Sequence, residues 1–142
     1  TEQRIIDACK SARDRLEVYV PGLLTGQKKW AEYAGADLFV FPTYYRAENF
    51  PLVLIEALAA GLPVISTRWR GIPTIIEHGK CGFLVEPRDV NALEEAIVTL
   101  AQSQDMRDQF SHAARCKYQA EFTHQIHVQS MVRILELAAR SN

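Results

Sequence analysis

The stretch from Asp37 to Thr67, DLFVFPTYYRAENFPLVLIEALAAGLPVIST, restricts the fold more than any other part of the chain. A short apolar run, Leu38–Pro42, ends at a proline, as a fully buried parallel strand would. The polar loop Thr43–Asn49 follows, and Pro51 then falls where proline suits the first position of a helix. Leu52–Ala60 is apolar nearly all round, so the spacing predicts a helix buried on more than one side. Gly61 fits the left-handed residue just past a helix end, Pro63 prevents continuation, and Val64–Ser66 reads as the next buried strand. Two carboxylates interrupt this apolar pattern. Glu48 lies in the loop, and Glu56 lies about one and a half turns inside the helix. An acid among Leu54, Ile55, Ala57 and Leu58 needs a partner, here a basic or hydroxyl neighbour such as Arg68 or Thr67, or a ligand. Helical side chains lean toward the N-terminus, so both acids are expected to converge on the mouth of the strand–helix loop. Ligands bind at that end of the strands in open α/β sheets, and the free N–H groups of Leu52 and Val53 would face the same space.

The rest of the chain repeats the alternation of strand and helix. Helices are predicted at Thr1–Asp14, Gln27–Ala34, Ile72–Glu77, Val90–Gln102, Met106–Phe122 and Gln125–Arg140. Strands are predicted at Leu16–Val20 and Phe83–Val85, with Gly79 and Gly82 bracketing a turn before the latter. Asp89 is the expected cap of the helix that follows Pro87. The fold class is therefore α/β: a Rossmann-like parallel sheet of about four strands flanked by helices.

A chain of 142 residues is one domain and buries roughly two thirds of its unfolded surface without staples. A formal net charge of -1 argues against a general nucleic-acid binder or a polybasic anchor. Cys9, Cys81 and Cys116 are odd in number and far apart, which fits reduced thiols better than a disulfide frame or a zinc site. No apolar run reaches the ~18 residues of a spanning helix, and the beginning shows no signal-peptide pattern. Thr1 falls inside an apparent helix, so the sequence is expected to be a piece of a longer chain.

ENFPLVLIE, with seven residues between Glu48 and Glu56, resembles the paired-glutamate motif of retaining nucleotide-sugar glycosyltransferases of the GT-B fold. ADLFVFPT before it, and EALAAGLPVIST and GIPTIIEHGKCGFLVEPRD after it, resemble the flanking segments of the same family in the same order. The resemblance implies that residues 1–142 are a partial C-terminal nucleotide-sugar-binding domain. The first two strands of that domain and the N-terminal acceptor domain would be missing. It implies hexosyl transfer from a UDP- or GDP-sugar with retention, and no cofactor, metal or nucleic acid. By resemblance Glu48 is the catalytic-site carboxylate beside the hexose, and Glu56 accepts from the ribose hydroxyls. Phe50, Pro51, Leu52 and Val53 lie along sugar and diphosphate, and Gly22 and Leu24 clasp the base. Asn49 supplies a side-chain amide or only caps the helix; Gly22–Leu24 reads equally as an ordinary turn. Many family members carry glycine where Asn49 and Pro51 stand, which leaves the sugar open.

Other features have plainer readings. Arg68 and Arg70 are surface charges, because in the family an Arg and a Lys from the missing part neutralise the diphosphate. Trp30 and Tyr33 read as an exposed pair engaged in helix packing, and His124 and His127 share a helix face without a third metal ligand. A cytoplasmic location is expected, with the full-length parent peripheral to a membrane as a further option. The rival reading is a non-catalytic interaction or regulatory module, or one chain of a split enzyme. A sheet lacking its inner strands is also expected to self-associate, as a homodimer through the edge at Leu38–Pro42.

Overall fold

The structure, a computed structural model, describes residues 19–140. The helix expected at Thr1–Asp14 and most of the strand expected at Leu16–Val20 lie outside the described residues; Tyr19 and Val20 belong to no strand and are exposed. The order of elements is α1 (Gly26–Gly35), β1 (Phe39–Phe41), α2 (Leu52–Ala60), β2 (Val64–Thr67), α3 (Ile72–Ile75), β3 (Gly82–Val85), α4 (Val90–Gln102), α5 (Gln104–Glu121) and α6 (His124–Arg140). Among the described residues the sheet has three parallel strands in the order β1-β2-β3, not four. Phe39 lies opposite Val64, and Val64 opposite Gly82.

Alternation along β2 divides the core in two. Val64 faces Leu54, Leu58, Ile72, Ile75 and Ile76 in one buried cluster. Ile65 faces Val85, Ala96, Leu100 and Phe110 in the other. α5 serves both clusters, through Ala114 on one side and Phe110 on the other. β2 is buried throughout, as expected for the middle strand. β1 is not the fully buried strand expected. Among the described residues it pairs only with β2, and Val40 is 39% exposed. Its apolar composition suits a neighbour on the bare side, and no described residue supplies one.

Local chemistry sets the ends of the elements. Gly61 closes α2 in the left-handed conformation (φ 76°), its N–H donating to the carbonyls of Ala57 and Leu58. The Arg115 guanidinium covers the same end, donating to the Ala60 carbonyl at 3.3 Å. Pro51 is the N-cap of α2 and not its first residue; its ψ of 114° is extended, so the helix begins one residue later. Asp89 caps α4 as expected, accepting from the Ala92 N–H at 2.9 Å. Gly82 does not merely end a turn; it belongs to β3. A Cβ there would lie 2.0 Å from the Val64 carbonyl oxygen. α6 buries none of its residues, and Val128, Met131, Val132 and Leu135 form an exposed apolar stripe along it. No helix among the described residues is long and apolar enough to cross a membrane. Cys81 is buried and free, and Cys116 is exposed and free.

Candidate functional site

The loop from Thr43 to Phe50 leaves the carboxyl end of β1, and buried hydroxyls of β2 fix its course. Ser66 Oγ donates to the Phe41 carbonyl at 2.7 Å, and Thr67 Oγ1 donates to the Thr43 carbonyl. Both hydroxyls are almost fully buried, so each strand end is held by a bond that water cannot replace. Trp69 Nε1 donates to the Tyr45 carbonyl at 2.9 Å, and the Glu48 N–H donates to the same carbonyl at 3.0 Å. Gly71 sits directly against the Asn49 carbonyl, which a Cβ would approach to 2.3 Å. The loop carrying Glu48 is thus fastened both to β2 and to the segment after it.

Glu48 is half-buried at the end of this loop. Asn49 is exposed and does not cap α2, since the cap is Pro51 and no side chain bonds there. Phe50 is 47% exposed, its ring edge-on to Phe122 at 6.4 Å. Pro51 is buried and Leu52 is 68% exposed. The N–H groups of Leu52 and Val53 bond to no described residue; the first N–H of α2 with a partner is that of Leu54, on the Pro51 carbonyl at 3.1 Å. These are the orphan donors of a helix start.

Glu56 is held by neither Arg68 nor Thr67. Lys29 Nζ donates to Oε1 at 2.6 Å, and the Tyr33 hydroxyl donates to Oε2 at 3.1 Å. Arg68 pairs loosely with Glu86 at 3.6 Å, and Arg70 lies over the Trp69 ring at 5.7 Å, as surface charges do. Tyr33 is buried, not exposed, and its ring packs against both Trp30 and Phe39, each at 5.6 Å between centroids. Burial first, then the hydrogen bond and charge of Glu56, push its phenol up to about 12. Sequence reasoning missed both partners. Lys29 and Tyr33 stand four apart and so share one face of α1, but the spacing does not say that this face meets Glu56.

Lys29 and Tyr33 also line a cavity of about 330 Å³, together with Leu24, Phe39 and Leu62. Leu24 is half-buried there, and Gly22 turns the backbone ahead of it at φ 71°. The structure therefore joins Leu24 and the two holders of Glu56 around one opening. His124 and His127 stand at the start of α6, and no described group of three or more His, Cys, Asp or Glu side chains gathers as metal ligands would.

A Rossmann-like parallel sheet whose strand ends carry this acid-bearing loop and helix is the architecture of GT-B glycosyltransferases. The chain belongs to the glycosyl transferases group 1 family, whose model matches residues 1–117. It is 37% identical over 108 residues to the amylovoran biosynthesis glycosyltransferase AmsK of Erwinia amylovora, covering 73% of this chain and 26% of that protein. It is 39% identical over 97 residues to a sulfoquinovosyl transferase of Arabidopsis thaliana, covering 66% of this chain and 19% of that one. The sucrose-phosphate synthase of Thermosynechococcus elongatus superposes with a TM-score of 0.70 at 31% identity, over 78% of this chain and 27% of the other. Anabaena HepE, solved in complex with UDP-glucose, superposes with a TM-score of 0.68 at 25% identity, over 74% of this chain and 29% of the other. The chain spans between 19% and 29% of the length of these proteins.

Proposed function

We propose that this chain is the donor-binding part of a glycosyltransferase that moves a hexosyl group, with retention, from a UDP- or GDP-sugar to an acceptor held by a further domain. The observation that carries the reading is Glu56. It is a carboxylate on an apolar helix, fixed at both oxygens by Lys29 and Tyr33, and those two residues line a cavity that Leu24 also lines. A carboxylate offers only acceptors, which suits a pair of ribose hydroxyls. Glu48, Asn49 and Phe50 attend the hexose, and the amides of Leu52 and Val53 take the diphosphate. Gly22 and Leu24 take the base. The negative charge of Glu48 favours the oxocarbenium-like state that forms as the diphosphate leaves. The complex of HepE with UDP-glucose supports the choice of donor.

Two variants of the natural protein carrying this chain test the assignment. Glu56→Gln weakens donor binding by about 1–3 kcal/mol, the range for a charged hydrogen bond. Glu48→Gln cuts turnover and leaves nucleoside-diphosphate affinity nearly unchanged. Calorimetry and a transfer assay read the two effects separately. Equal donor affinity in the first variant, or wild-type transfer in the second, removes the corresponding role. The outer edge of β1, which no described residue pairs, favours a second reading, in which the chain works as one part of a split enzyme and pairs with a partner that supplies the next strand.

A further inference from the structure

We infer that Lys29 and Tyr33 are positioning residues for nucleotide recognition, and that they act by dividing the two oxygens of Glu56 between them. The inference rests on the ribose reading of Glu56. Lys29 takes Oε1 and Tyr33 takes Oε2, so neither oxygen is left without a donor. A carboxylate has about four acceptor sites, and one donor per oxygen leaves one lone pair on each for a ligand. A Glu side chain otherwise rotates about three bonds, and holding it in place lowers the ordering cost paid when the ligand arrives.

The two holders are themselves held. The Tyr33 ring packs against both Trp30 and Phe39, and the Lys29 ammonium lies 5.6 Å from the centre of the Trp30 ring. Both stand on α1, whose first residue comes two positions after Leu24. One helix therefore sets the carboxylate and follows the loop assigned to the base, and its Lys29 and Tyr33 line one cavity with Leu24. Two donors would satisfy a largely buried carboxylate for stability alone; what points to a ligand is that both donors stand on the wall of the cavity that Leu24 also lines.

The test is a ratio. Calorimetry on the natural protein carrying this chain measures UDP and GDP, each against its 2′,3′-dideoxy analogue. Wild type is expected to prefer the ribonucleotide of its cognate base by about tenfold or more, the value of a charged hydrogen bond. Tyr33→Phe and Lys29→Met are expected to weaken the ribonucleotide and leave the dideoxy analogue unchanged, so that the preference falls at least about threefold. Lys29→Arg, which keeps a cationic donor, is expected to restore most of it. Variants that retain the wild-type ratio overturn the inference and leave the ribose reading standing. A variant that loses both nucleotides equally acts through the fold and also counts against it. A wild-type ratio of one, or no binding of either diphosphate, overturns the ribose reading and the inference with it. Lys29 is one-third exposed, so Lys29→Met decides the matter if Tyr33→Phe does not fold.

Discussion

The buried phenol of Tyr33 makes a quantitative prediction about alkaline stability. Its titration is displaced from 10.0 to about 12, chiefly by burial and then by Glu56. Two units correspond to roughly 2.7 kcal/mol at 1.36 kcal/mol per unit. The partner carboxylate is a quarter exposed, so solvent screening reduces the expected effect to about 1–2 kcal/mol. The sign follows from which state holds the proton. Between the unfolded and folded values the native state keeps the phenolic proton and the unfolded chain releases it, so stability falls as pH rises. The contribution is fully present below about pH 10 and is lost as pH passes about 12. Urea denaturation of wild type and Tyr33→Phe at about pH 9 and about pH 12 should show the difference between them shrinking by about 1–2 kcal/mol. Difference spectroscopy at the tyrosinate band, wild type minus Tyr33→Phe, reads the same group directly. In Glu56→Gln the phenol should move only part of the way back, because burial is the largest cause and remains. Parallel loss of stability in wild type and Tyr33→Phe across that window would refute the reasoning.

Two further outcomes concern the sheet. Gly82→Ala places a Cβ against the Val64 carbonyl at 2.0 Å, in the register that joins β2 to β3, and should cost about 3 kcal/mol or more, roughly 10 °C in melting temperature. Gly79→Ala meets nothing within 4 Å and pays only for its φ of 78°, about 1 kcal/mol; equal losses in the two would show that the clash is relieved. The 142-residue chain alone should self-associate through the edge of β1 that no described residue pairs, most simply as a two-fold dimer, and light scattering coupled to size exclusion reads this directly. A clean monomer at high micromolar concentration would mean that the edge is covered.

What the sequence revealed and what it concealed divide by range. Gly61 and Asp89 were legible because a helix end is decided within a few residues, by a left-handed glycine in one case and a capping carboxylate in the other. The isolation of Glu56 within an apolar helix was equally plain, but its partners were not. They lie 27 and 23 positions away, and choosing between Lys29 and Arg68 depends on how helices pack, which no local pattern encodes. β1 misled for another reason. Its residues are those of a strand with neighbours on both sides, so composition reported a buried strand where the described chain has an edge. Gly82 read as turn punctuation, and only the approach of the Val64 carbonyl explains why a glycine lies within β3.

The contact between Gly71 and the Asn49 carbonyl bears on how such a protein could be re-engineered. If Glu48, Asn49 and Phe50 attend the hexose as proposed, exchanging residues 43–50 for the loop of a relative is the obvious way to alter the sugar. Here that loop abuts a backbone position with no room for a side chain, and Thr67 and Trp69 bond to its carbonyls. The transferable unit is therefore two segments, 43–50 and 67–71, moved together. A chimera whose loop takes another backbone path, by insertion or deletion, and keeps 67–71 inherits a mismatched joint, whereas side-chain changes within 43–50 leave the three carbonyls where Thr67, Trp69 and Gly71 meet them.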